Sequence, residues 1–273
     1  MPPPHQPLAC GSTSQGRHPR DSRIEFNEAT HTYTIDGSSQ GVISVTSLIG
    51  KFFEPFDADQ VIQRMMAGPK FSEGPYAGMT PTGIKNKWKE DGNAASQAGT
   101  ALHKKIELFY GSPGPVSPLE NQGKDWEYFL QFHNEIIIPQ GLEPYRSEWS
   151  IFISKAGVAG QLDMLFKKGD TFVLCDWKRA KSIDTENKWK TALTPLEHMP
   201  DCNFSKYSLQ LNLYKYILEK YYDIPVHEMY IVVFHPTSQG FRQFQVPTLH
   251  AEIKKMLGAY KRSKRTKHNK LNL

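Results

Sequence analysis

The run from Gly160 to Lys181, GQLDMLFKKGDTFVLCDWKRAK, constrains what this chain can build more than any other stretch. Two apolar runs flank Gly169-Asp170, a pair that favours a two-residue hairpin turn because both residue types tolerate positive φ. With those residues as the loop, Lys168 pairs with Thr171, and the register extends outward by symmetry. Asp163 then faces Asp176, and Gln161 faces Lys178. Side chains two residues apart share a strand face, so Asp176 and Lys178 point the same way. Directly opposed Cβ atoms lie roughly 4.5–5.5 Å apart, where like charges repel. Both acids sit in strongly apolar surroundings, and a half-buried carboxylate needs a partner or a metal. A hard divalent cation meets that need, because Mg2+ accepts one or two carboxylates together with water and phosphate oxygens. The competing reading is a surface hairpin with a polar face, and the apolar neighbours weigh against it.

The rest of the chain alternates strand and helix signals. Arg23 to Ile49 reads as short strands around an Asp36-Gly37 turn, and Asp57 to Met66 as a helix capped by Asp57. Glu73 to Thr82 reads as a loop. Helices are expected over Asn93–Tyr110 and Lys124–Ile138, separated by the proline-rich Gly111–Pro118. Strands follow at Glu148–Ser154, Val158–Phe166 and Thr171–Lys178. Ser205–Tyr222 is a strong helical signal. Met229–Phe234 and Phe241–Val246 return to strand, and a last helix runs from Leu249 to a stop at Gly258. Such an order describes an α/β fold, one central mixed β-sheet flanked by α-helices. The chain of 273 residues then divides into a disordered tail over 1–23, a single domain over 24–260 and a basic tail over 261–273. The first tail lacks apolar periodicity. The second is a solvated terminus, a nuclear address or an arm that contacts phosphate.

Composition narrows the function classes. A formal charge of +5 suits a polyanionic partner without requiring one. No run approaches the ~18 apolar residues of a membrane span, so no membrane partner is expected. The three cysteines, Cys10, Cys175 and Cys202, have neither metal-pair spacing nor the numbers of a disulfide framework. A reducing intracellular compartment follows, with nucleus and organelle both open.

Asp163 followed by Asp176-Trp177-Lys178 resembles the D…(D/E)-x-K signature of the PD-(D/E)XK nucleases. Three more segments are similar, in chain order, to the RecB-like branch of that superfamily. GTALHKKIE (Gly99 to Glu107) is similar to its G-x-x-x-H-x-x-x-E helix, and QLNLY (Gln210 to Tyr214) to its Q-x-x-x-Y motif. VISVTSLI (Val42 to Ile49) resembles the opening segment of mitochondrial genome maintenance exonucleases and related phage proteins. The resemblance covers Phe26 to Phe244, and it implies a restriction-endonuclease-like core around the mixed sheet.

The resemblance also assigns roles. Asp163 and Asp176 become metal ligands with the Trp177 carbonyl as a third oxygen, and Mg2+ or Mn2+ the cofactor. Lys178 orients or deprotonates the attacking water, with Asp163 and Asp176 completing the catalytic set; a plain ion pair with Asp176 is its alternative. His103 becomes a further ligand, an imidazole that suits Mn2+. Glu107, one turn on, binds a metal-bound water or simply pairs with Lys104. Glu148 supports the metal or Lys178, or is an edge-strand charge. Gln161 flanks the site. Arg179 and Lys181 hold phosphate beside the scissile bond. Gln210 orders the lysine and Tyr214 contacts nucleic acid. Some relatives carry a four-cysteine iron–sulfur cluster, which three cysteines cannot build.

The expected function is metal-dependent hydrolysis of phosphodiester bonds in DNA, as an exonuclease on single-stranded ends in replication, repair or recombination. A structure-specific or RNA-directed endonuclease, or a non-catalytic DNA-binding scaffold, are the alternatives. No G-x-x-x-x-G-K-[S/T] motif is present, so unwinding falls to a helicase or replication partner.

Overall fold

The Gly169-Asp170 hairpin is the seed from which the computed structural model, which describes residues 18–111 and 123–271, is most simply understood. β5 (Val158–Lys168) and β6 (Thr171–Lys178) pair antiparallel, with Lys168 opposite Thr171 as the turn predicts. Gly169 takes φ +61°, a left-handed conformation without penalty for glycine. β4 (Glu143–Ile153) lies antiparallel along one edge of β5, from Lys167 to Val158. β7 (Val226–Val233) adds parallel to β6, and β8 (Arg242–Gln245) antiparallel to β7. A short β3 (Ile43–Ser44) pairs parallel with Val158 and Ala159. These six strands form the expected central mixed sheet. β1 (Ile24–Asn27) and β2 (Thr32–Ile35) make a separate hairpin beside it.

A strand has two edges, and this fixes where the sheet opens. β4 occupies one edge of β5. β3 and β6 share the other, β3 at residues 158–159 and β6 at residues 164–168. Residues 160–163 therefore have no strand partner on that side. The sheet forks there, at Asp163.

Helices bury both faces. α1 (Val45–Gly50), α5 (Asn203–Tyr221) and α6 (His250–Leu271) cover one. The last turns of α3 (Pro81–Gly111) and α4 (Lys124–Phe132) cover the other, through Leu102, Ile106, Trp126 and Phe129. α2 (Ala58–Met66), capped by Asp57 as expected, packs on the first half of α3. Trp177 is buried on the α4 face with its ring centroid 5.8 Å from that of Phe132 and 5.9 Å from that of Phe234. Burying such a side chain contributes about 1.5–3 kcal/mol, so Trp177 fixes the face of Asp176 and Lys178 on either side of it. α5 is buried all round its middle turns, residues 208–214, so Gln210 and Tyr214 lie inside the core beside the polar Ser208 and Asn212.

Four expectations need correction. The segment after Ser44 is helical rather than extended, because the Ser44 hydroxyl accepts from the Ser47 N–H at 3.0 Å and caps α1. α3 runs unbroken from Pro81, through the loop and helix pieces expected there. The N-terminal tail does not extend to residue 23. Asp21 accepts from Arg146 Nη2 at 2.9 Å and Trp149 Nε1 at 2.8 Å, and the Arg20 guanidinium lies 4.2 Å from the Phe152 ring centre. These contacts hold the chain against β4, the outermost strand on that side of β5. At the other end, Gly258 does not stop α6, since lysine and arginine favour helix and carry it on through the basic run. Lys264 Nζ docks on the Gly41 and Ala156 carbonyls at 2.8 and 2.9 Å, so residue 260 is no boundary in the fold. Residues 1–17, 112–122 and 272–273 lie outside the described residues.

A π-helical turn, His133–Ile137, continues α4 and places His133 among Phe109, Tyr110 and Phe129. Burial pushes the His133 imidazole down to about 4. The unfolded chain takes that proton near the ordinary 6.5 and the folded one does not, so stability falls as pH drops from 6.5 towards 4. The wild type should lose about 2 kcal/mol more than His133→Gln across that window, read from urea unfolding at each pH. Parallel pH profiles for the two proteins would contradict it.

Candidate active site

The fork assembles a cluster of charged groups. β5 supplies Asp163, β6 supplies Asp176 and Lys178, β4 supplies Glu148 and α3 supplies His103. The paired ladder of β5 and β6 stops at Met164–Cys175, one step before the two aspartates. Instead of a ladder bond, the Trp177 N–H donates to Asp163 Oδ2 at 2.7 Å. The hairpin register thus brings the aspartates to the same level, and the divergence of the strands leaves room between them.

His103 enters from the second face. Its Nε2 lies 3.1 Å from the Trp177 carbonyl oxygen, and its Nδ1 lies 3.4 Å from Glu148 Oε1 and 3.8 Å from Asp163 Oδ2. Glu148 stands at the register position opposite Asp163, between the pairs Ser147–Met164 and Trp149–Leu162. It adopts φ +45°, a conformation that costs a non-glycine residue about 1–2 kcal/mol. That twist takes its peptide out of the ladder, and Gln161 Nε2 donates to the freed Glu148 carbonyl at 2.9 Å. Strain of this kind persists where surrounding contacts hold it, commonly at working sites.

One ligand atom each from His103, Glu148 and Asp163 lies within 4.8 Å of the others. Two carboxylates and an imidazole suit a hard or borderline divalent cation. Asp176, 1% exposed, stands beside this trio with Oδ2 at 2.5 Å from Lys178 Nζ; Oδ1 has no hydrogen-bond partner among the described residues. A buried carboxylate oxygen left over in this way is a vacant position for a further ligand bond.

The charges account for one another. Burial pushes the Asp163 carboxyl up, while His103 and Lys178 pull it back. Burial likewise raises Asp176 to about 6 despite Lys178. Burial alone would lower His103, but the Asp163 charge and the Glu148 hydrogen bond outweigh it and raise the imidazole to about 9. Burial would lower Lys178 too, yet Asp176 and Asp163 hold it well above the usual lysine range. The imidazolium therefore fills the place of a cation between Glu148 and Asp163. A metal there must displace its proton.

The remaining candidates separate cleanly. Gln161 does not face Lys178; it secures the Glu148 backbone. Glu107 is engaged by Lys104 at 2.7 Å, the plain surface pair. Arg179 Nε bonds Asp125 Oδ2 at 2.7 Å in the first turn of α4, which leaves its Nη groups as the donors for a phosphate. Lys181 is exposed, and its carbonyl accepts from Arg242 Nη2 at 2.9 Å. Gln210 Nε2 donates to the Tyr214 hydroxyl at 3.2 Å. Tyr214 lies over Gly160, in the unpaired stretch of β5, where a Cβ would sit 2.7 Å from its ring and 2.9 Å from Val45 Cγ2. Tyr207, one turn before Gln210, is a site residue the sequence reading missed: its ring lies 4.8 Å from Lys178 Nζ. Helical spacing from Gln210 and Tyr214 was the signal that pointed to it.

No family model and no curated protein matches this chain. Two solved structures align over most of it. An alkaline exonuclease (LHK-Exo) from Laribacter hongkongensis is 13% identical with a TM-score of 0.34, over 83% of this chain and 95% of that one. SSO0001 is 13% identical with a TM-score of 0.36, over 82% of this chain and 76% of that one.

Two outcomes follow from this geometry. Gly160→Ala should destabilise the fold by about 1–3 kcal/mol, read as a lower urea midpoint at unchanged slope. An unaltered midpoint would mean Tyr214 is not seated on β5. Titration calorimetry with Mn2+ should show His103→Ala and Glu148→Gln weakened by at least the roughly 10- to 100-fold that loss of an outer-shell partner costs. Glu107→Gln should bind Mn2+ like the wild type; equal weakening in all three would remove the site.

Proposed function

We propose that this chain is a divalent-metal-dependent nuclease that hydrolyses phosphodiester bonds in DNA, acting as an exonuclease on single-stranded ends. The observation that carries the proposal is the fork in the sheet, which gathers Asp163, Asp176, Lys178, His103 and Glu148 at one point. His103, Glu148 and Asp163 would hold Mg2+ or Mn2+, with the free oxygen of Asp176 adjoining. Such an ion, when bound, polarises a phosphoryl oxygen and lowers the pKa of water.

The chain's own groups supply the rest. Lys178, ion-paired with Asp176 at 2.5 Å, serves as a donor and counter-charge to a phosphate undergoing attack. Preorganisation makes that donor effective: Asp176 and the Tyr207 ring fix the ammonium before substrate arrives. Asp163 keeps the Trp177 peptide in place, which in turn fixes His103 through the Trp177 carbonyl. The chain has a net positive charge, which favours polyanions. Among the described residues no helix is long and apolar enough to cross a membrane.

The test is degradation of end-labelled linear single-stranded DNA beside a circular single strand, with Mg2+ and with Mn2+. Loss of the line with an intact circle is the expected result, and the label position gives polarity. Lys178→Ala and Asp163→Asn should lower the rate by about 10³-fold or more while still binding DNA. A cut circle would make it an endonuclease, and turnover by either variant at the wild-type rate would refute the site.

A further inference from the structure

The loop between β6 and α5 begins at Arg179, next to Lys178, and ends at Cys202, just before the helix that carries Tyr207. It is not loose. Asn203 clasps its base, accepting from the Asp184 N–H at 2.7 Å and donating to the Ser182 carbonyl at 3.1 Å. Its far limb is laced by Ala192 N–H to the Met199 carbonyl and Asp201 N–H to the Lys190 carbonyl, both 2.9 Å. Ile183, Ala192, Leu196 and Met199 are buried.

Against that background Trp189 is anomalous. It is 93% exposed, whereas Trp126, Trp149 and Trp177 are buried, and it makes no ring contact among the described residues. Tryptophan is highly buried on average. The exposure is not a product of slack backbone: the N–H groups of Trp189 and Lys190 both donate to Asn187 Oδ1, at 3.0 and 3.1 Å. Asn187 Nδ2 in turn donates to the Asp201 carbonyl at 2.7 Å. Lys188 and Lys190 flank the indole, are exposed, and form no ion pair among the described residues.

We infer that Trp189 is a stacking platform for an unpaired nucleobase of single-stranded nucleic acid, with Lys188 and Lys190 taking the adjoining phosphates. The inference rests on the nuclease reading above and adds a binding residue outside its chemistry. An exposed aromatic ring on a pinned backbone, between two lysines, matches how single strands are held, by stacking plus a positive track. Bases in a duplex are already stacked on each other, so the platform selects single strands. A protein partner or a second copy fits less well. A stable interface buries ~800 Å2 per side, and the exposed apolar neighbour on this loop is Leu193, at 37%.

The experiment is binding of a fluorescein-labelled oligothymidylate, read by anisotropy with Ca2+ replacing the hydrolytic metal, together with tryptophan emission. The oligonucleotide should quench the wild-type emission, and Trp189→Phe should lose most of that quench while keeping most of the affinity. Trp189→Ala should bind about 5- to 100-fold more weakly, with its urea midpoint unchanged. Wild-type affinity in Trp189→Ala overturns the inference, as does a change in sedimentation with no change in binding, which would assign the indole to a second copy. Failures are separable: a wild type that degrades DNA beside an unaffected Trp189→Ala sinks the platform alone. A wild type that neither binds nor cleaves sinks the nuclease reading and the platform together.

Discussion

The 2.7 Å hydrogen bond from the Trp177 N–H to Asp163 Oδ2 is the contact on which the site's geometry depends. An interior strand normally satisfies its peptides by pairing with its neighbours, and an orphaned buried N–H costs about 1–3 kcal/mol. Here β5 and β6 diverge just beyond the Met164–Cys175 pair, and a side-chain carboxylate takes over the role of the missing ladder. The sheet can therefore open without leaving Trp177 unsatisfied. Its indole stays locked among Phe129, Phe132, Phe166 and Phe234, and its carbonyl remains in reach of His103. One peptide thus ties the aromatic core, the α3 histidine and the β5 aspartate together.

How much of this the sequence reveals depends on the range of the interaction. The hairpin register was legible because a two-residue turn fixes it locally, and the face shared by Asp176 and Lys178 follows from strand geometry alone. The fork was not legible. It arises because β3, more than a hundred residues upstream, claims the start of the β5 edge that β6 uses further on. Extending the ladder by symmetry therefore put Gln161 opposite Lys178, when the strands had already separated. Glu148 was seen as a charge near the site, but its φ of +45° and its place beside His103 depend on three elements meeting. The ion pair of Arg179 was hidden for the same reason, because its partner, Asp125, lies on a helix 54 residues earlier. Local pattern places Asp163, Asp176 and Lys178 close together; tertiary contact decides how the neighbouring charges are paired.

Burial explains why the remaining charges have such fixed roles. Taking the Asp163 and Asp176 carboxylates out of water costs far more than their hydrogen bonds return unless cations accompany them. The site carries two cations of its own, His103 and Lys178, and they are not equivalent. Lys178 is bound to Asp176, and the Asp176 and Asp163 charges hold its ammonium well above the usual lysine range. His103 holds its proton only because Glu148 and Asp163 are present, and an imidazole gives up a proton to a metal at far smaller cost than a paired lysine does. The arrangement is therefore a place-holder and a permanent charge. The imidazolium keeps Glu148 and Asp163 from repelling one another, and it would yield its proton if a divalent ion took its place between them. The strained Glu148 backbone belongs to the same balance, because a relaxed extended residue at that position would stay in the ladder with Asp163 and turn away from His103.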